Sequence, residues 1–222
     1  MLTSIEYGKK VIKCGEVHMN NRNMEIMQYV QKHMEEQFHV SCQLIQSYIE
    51  MHGSEVWNDV RYEINEILKS VLNLQDKSQK GAIQYLAFSF LRSSLYQNKL
   101  EFCIEAFDNS FYLDNRETAG SYHPVFLQER YSDDLSRLYK EVSRKFVRLQ
   151  SHELFWIKEQ YTYYYEAVVY RMIENLAGLI MRKVEESSVS VTDDFKIIYG
   201  EFMDKAVVLY TKEKKENEIL SD

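Results

Sequence analysis

The chain has 222 residues, a net charge of -7 and a pI near 5.5. It is long enough to bury a core without disulfide staples, and too acidic for a general nucleic-acid or anionic-membrane footprint. Gly 7 and Pro 1 beside 45% hydrophobic residues disfavour a turn-rich sandwich or barrel.

Cys14, Cys42 and Cys103 are odd in number and widely spaced, which fits reduced thiols rather than a disulfide framework. Lys9, Lys10 and Lys13 near the start are followed by no continuous apolar segment, so no secretory leader is read there. No run of about 18 uncharged apolar residues offers a membrane span, and the expected location is the cytoplasm.

Taken in order, residues 4–14 suggest a short strand or helix. Met24, Met27, Val30, Met34 and Phe38 recur at helical steps. Ser41 is placed to cap a short helix to Met51, closed by Gly53. Ser54 is placed to cap another to about Leu74, with Val56, Val60, Ile64, Ile67/Leu68 and Val71 on its apolar side. Ser78 suggests a further helix burying Ile83, Leu86/Ala87, Phe90 and Leu91.

The period then changes to two. Leu100, Phe102, Ile104 and Ala106 alternate with other side chains, and Asp108-Asn109-Ser110 is turn chemistry before Phe111-Tyr112-Leu113. The reading is a small β-hairpin near 99–114, with a third strand at 94–97. Residues 114–123 are a loop closed by Pro124.

Beyond it Leu127, Tyr131, Leu135, Leu138, Val142, Phe146 and Leu149 mark a long helix. Ser151–Glu186 is the longest uninterrupted helical pattern, with Leu154, Ile157, Tyr161, Tyr165, Val168, Met172, Leu176 and Leu179 on one stripe. These two helices are expected to form an antiparallel pair. After Ser187-Ser188, Thr192 or Asp193 is placed to cap a last helix through Phe195, Ile198, Phe202, Ala206 and Leu209, and 211–222 is a charged tail.

The expected fold is mainly α: an all-alpha helical bundle on two long antiparallel helices, with the small hairpin beside it. It forms a single helical domain over 1–222, divisible into lobes 1–96 and 97–210.

Cys14, His18, His39 and Cys42 form the one set with metal-like pair spacing, and thiolate with imidazole suits zinc. The order is not a common zinc framework, so two structural thiols and two surface histidines are the plainer reading. Glu36-x-x-His39 has no second such pair, which a di-metal bundle needs.

Arg92 is the one charge in the apolar run 85–96 and calls for a carboxylate, with Glu166 or Glu174 as expected partners, or a ligand anion. Tyr161 and Tyr165 beside Glu166 are candidate pocket residues, weighed against a core aromatic stripe. His123 sits in a loop with Arg116, Glu117 and Tyr122. Arg137, Lys140, Arg144 and Arg148 make a basic stripe that reads as a solvated face. No Gly-rich phosphate loop, Gly-x-Ser-x-Gly elbow or His-Glu-x-x-His is present.

The expected function is non-enzymatic binding of a protein or small ligand by a homodimer. One rival is a transcription-regulator-like protein with an N-terminal DNA-reading lobe at 24–74, although Glu55, Asp59, Glu63 and Glu66 there have the wrong sign for phosphates. The other is a metal-dependent enzyme using the 14/18/39/42 set or the His123 loop.

Overall fold

The computed structural model describes residues 21–114 and 116–212. The element expected at 4–14, together with Cys14 and His18, lies outside the described residues. The chain gathers into two compact units, one from residues up to His52 with Val125–Val169, the other from Gly53–Pro124 with the chain from Tyr170 onward. No helix among the described residues is long and apolar enough to cross a membrane.

The first unit is helical. It contains the beginning of α1 (Asn21–Asp76), all of α2 (Val125–Lys145) and the beginning of α3 (Ser151–Glu186). Tyr131 bonds Thr162 at 2.7 Å and Tyr139 donates to the Leu154 carbonyl at 3.2 Å, so α2 and α3 run antiparallel, as their stripes predict. Val30, Met34, Leu127, Leu138, Val142 and Ile157 fill the interior. Arg137, Lys140, Arg144 and Arg148 are exposed, the solvated face expected.

Gln150 immediately precedes α3. Its N–H donates to Glu153 Oε2 at 2.6 Å, the reciprocal half of a capping box. Glu153 also receives Arg22 Nε at 3.1 Å. Burial would raise the Glu153 carboxyl, and these donors with the Arg22 charge hold it below its usual range.

The break expected between helices at 41–51 and 54–74 is present: α1 joins two helices across a kink at His52, whose φ of -121° and ψ of 22° are non-helical. The first of the two starts at Asn21 and runs through Ser41 without a cap there. Nothing stands within 4 Å of a Cβ built on Gly53.

The second unit overturns the expectation of an all-alpha bundle with a small hairpin. It holds a five-stranded mixed sheet in the order β3-β2-β1-β4-β5. The strands are β1 (Ile83–Phe90), β2 (Phe102–Phe107), β3 (Ala119–Tyr122), β4 (Val191–Glu201) and β5 (Ala206–Thr211). All neighbours are antiparallel except β1 and β4, which run parallel.

The segment expected as a helix after Ser78 is β1, and the expected last helix at 192–209 is the β4–β5 hairpin. Leu86, Ala87, Phe88, Ser89 and Phe90 are all buried. A central strand covered on both sides reads as a continuous apolar run, which periodicity alone does not separate from a buried helix. The expected strands at 94–97 and 111–113 are 3₁₀ turns, Arg92–Gln97 and Phe111–Leu113.

One face of the sheet meets helices. Leu86, Phe88, Phe90, Phe102, Ile104, Ile197 and Tyr199 are buried there. Tyr199 packs edge-on against Tyr170 of α3, and a Cβ on Gly120 would lie 3.2 Å from Ile67 of α1. The opposite face carries Tyr85, Ala87, Ser89, Cys103, Glu105, Phe107, Ile198 and Gly200 by strand alternation.

Candidate ligand-binding site on the open sheet face

The second face is roofed only in part. Phe111, at φ 51° in the turn after β2, packs its ring edge-on against Tyr85 and at a tilt against Phe107, both at 5.0 Å between centroids. Ala87, Phe107 and Ile198 form the small apolar cluster beneath. The roof is tied down by Lys80, whose ammonium is buried against the Asp114 carboxylate and also donates to the Arg116 carbonyl at 2.7 Å. Burial alone would raise Asp114. The bond from Lys80, the backbone N–H groups of Arg116 and Asp108 and the Lys80 charge together hold it below its usual value.

On the far side the β4–β5 turn curls in. A Cβ on Gly200 would lie 2.3 Å from the Lys205 carbonyl oxygen, so only glycine lets the turn fold so closely over the strand. Between roof and turn is a cleft of about 330 Å³ lined by Glu105, Phe107, Asp114, Arg116, Glu117, Thr118, Phe202 and Met203.

Glu105 is the unusual member of this lining. It is only 9% exposed, and its Oε2, like Asp134 Oδ1 and Thr192 Oγ1, has no hydrogen-bond partner among the described residues. Burial, then the Glu117 charge, raises its carboxyl above the usual range, opposed by the Cys103 thiol and Lys80. The same crowding pushes the Cys103 thiol up to about 12, by burial first and then by Glu105, Glu117 and Glu101. Cys103 is thus held as a thiol and is a poor nucleophile at neutral pH.

The residues singled out from sequence fall elsewhere. Tyr161 and Tyr165 lie in the helical unit, fully buried, and each donates to Asp134 Oδ2 at 2.7 Å. Gln37 and Ser41 bond the two hydroxyls, and Gln37 also donates to the Asp134 carbonyl at 2.6 Å. Glu166 is half-buried on the same helix. Arg92 pairs with Glu201 at 3.3 Å, and Glu174 is bonded by Arg171 and Tyr170.

His123 lies beside Ser121 and Glu101. Ser121 Oγ donates to Glu101 Oε1 at 2.7 Å and lies 3.2 Å from His123 Nε2, while Glu101 Oε1 is 3.5 Å from that same nitrogen. A nucleophile relay needs the carboxylate on the opposite ring nitrogen, so this arrangement is a hydrogen-bonded surface cluster and not a triad.

His39 and Cys42 are three residues apart on α1, His39 exposed and Cys42 half-buried, its thiol raised by burial. Among the described residues no group of three or more His, Cys, Asp or Glu side chains is placed to hold a metal ion.

Sequence reasoning missed Glu105. The one signal for it is an acidic residue between Ile104 and Ala106 in an alternating strand. Comparisons with protein-family models, with curated proteins and with solved structures find no match, so the cleft is read from its own chemistry.

Proposed function

We propose that the protein is a non-enzymatic binding protein whose sheet unit takes a small ligand in the cleft beside Glu105. The observation that carries this reading is the buried Glu105 carboxyl with an unpartnered oxygen at the wall of a half-roofed cavity. A buried polar atom without a partner costs about 1–3 kcal/mol, and at the wall of a cleft a bound ligand can supply the missing bond. The lining joins an apolar side, Phe107, Phe202 and Met203, to a few polar groups, the usual composition of a small-molecule site.

The test is a ligand-observed NMR screen of the full chain against small anionic, neutral and cationic fragments, followed by amide shift mapping. Binders are expected to shift Glu105, Phe107, Thr118 and Phe202. A screen without binders, or binders that map outside these residues, refutes the reading.

Self-association is the second element of the proposal, supported by α1. Val40, Leu44 and Met51 are 54%, 47% and 73% exposed. With Ser47 they recur at steps of four, three and four, the spacing of a helix–helix seam. Sedimentation equilibrium is expected to show a dimer that Leu44→Glu converts to a monomer. A monomeric wild type would refute it.

A further inference from the structure

Resting on the reading of the cleft as a ligand site, we propose that its ligand is a protonated organic amine bearing a small apolar body. The charges on the wall set the sign. Lys80 is committed to Asp114, and Arg116 is exposed at the rim. One arginine therefore faces the two glutamates, Glu105 and Glu117, and the lining keeps negative charge.

Glu105 needs a donor for Oε2, and a carboxyl 9% exposed is best stabilised by a cation brought to it. An anionic ligand would instead add a third negative charge beside Glu105 and Glu117. The size and remaining surface set the rest. A cavity of about 330 Å³ sits at the small end of ligand sites. Phe107 and Phe202 offer ring faces and Met203 a polarisable thioether, surfaces that suit both an apolar body and the edge of an ammonium group.

The probes are three molecules of one shape and different charge: 2-phenylethylammonium, 2-phenylethanol and 3-phenylpropionate. They are titrated into the full chain at pH 8 and low salt, with Kd read by calorimetry or NMR. The ammonium ion is expected to bind at least about tenfold more tightly than either analogue. Glu105→Gln is expected to lose about that factor, and Glu117→Gln, an exposed position, a smaller part of it. Far-UV circular dichroism confirms that each variant is folded.

If the alcohol or the carboxylate binds as well as the amine, or if folded Glu105→Gln and Glu117→Gln keep full affinity, the amine assignment is overturned while the cleft remains a binding site. If none of the three probes binds, the amine assignment falls. The fragment screen above then decides separately whether the cleft reading falls with it.

Discussion

Replacing Tyr165 with Phe removes one oxygen from the interior of the helical unit and leaves its packing volume nearly unchanged. Two consequences follow from the geometry. Asp134 Oδ2, in a side chain with no exposed surface, loses one of the two hydroxyls that reach it at 2.7 Å. Ser41, itself 2% exposed, loses the phenol it bonds.

A hydrogen bond to a carboxylate contributes about 1.5–3 kcal/mol, and a stranded buried hydroxyl costs about 1 kcal/mol more. Tyr165→Phe is therefore expected to destabilise by about 2.5–4 kcal/mol, read by urea unfolding followed by circular dichroism. Tyr161→Phe should cost a similar amount. The double variant should cost more than the sum of the two, because only it leaves Oδ2 with no donor. Tyr62→Phe, at a position 64% exposed, serves as the control, expected within about 0.5 kcal/mol of wild type. If Tyr165→Phe also stays within that range, Asp134 is not held by its phenols and the reasoning fails.

Burial, the largest cause for each, raises the phenols of Tyr122, Tyr131, Tyr161 and Tyr165, and pushes Tyr139 and Tyr164 up to about 12. Native tyrosines then keep protons that unfolded ones lose above about pH 10, so stability is complete below that pH and falls above it, by up to about 1.4 kcal/mol per unit per phenol. Absorbance at 295 nm and circular dichroism should change together in one alkaline step, and tyrosinate appearing near pH 10 with the fold intact would contradict this.

Lys80→Met strands the buried Asp114 carboxylate and should cost about 3–5 kcal/mol, most of it recovered in Lys80→Met/Asp114→Leu. Equal melting temperatures for the single and double variants would refute the pairing argument. Glu105 has a raised native carboxyl, so unfolded chains lose this proton first and the folded state is penalised once pH passes the usual carboxylate value. Glu105→Gln should raise Tm at pH 8 and give no gain at pH 3, where both states are protonated. A gain of equal size at both pH values would show that packing, not charge, is responsible.

The helical unit was largely legible. The α2 and α3 stripes have the 3.6-residue period because each of these helices buries one side, and Leu127, Tyr131, Leu135, Leu138 and Val142 are all buried as their spacing requires. What failed there was local punctuation. Ser41, read as a cap, is instead a buried residue inside α1 that bonds Tyr165, whereas the break read at Gly53 is there as the kink at His52. A serine marks a helix end only where no tertiary contact gives it another role.

The sheet was legible where one side of a strand is polar and illegible where both are covered. β2, between β1 and β3, alternates, because Glu101, Cys103 and Glu105 fall between Leu100, Phe102, Ile104 and Ala106. In β1, Ala87 and Ser89 are buried on the face opposite Leu86 and Phe88, so no polar residue marks a second side. In β4, Phe195, Ile197 and Tyr199 do alternate, but Ile198 between them is also buried, and 195, 198 and 202 mimic a helical step. Parallel pairing of β1 with β4 joins segments more than 100 residues apart, a contact that no local window contains.

The same distance explains why the site escaped notice. Glu105 acquires its character from Lys80 and Asp114 across the roof, from Glu117 on the returning chain and from the Phe202 turn that Gly200 admits. Each of these is ordinary in its own stretch of sequence. Arg92 shows the converse: a lone charge in an apolar run looked exceptional, yet it sits at the start of a surface 3₁₀ turn and meets Glu201 in solvent. Local rarity of a charged residue is thus a weaker guide to a site than the company that topology gives it. The buried Glu105, inconspicuous in its strand, leaves a carboxylate oxygen without a partner among the described residues at the wall of a cleft.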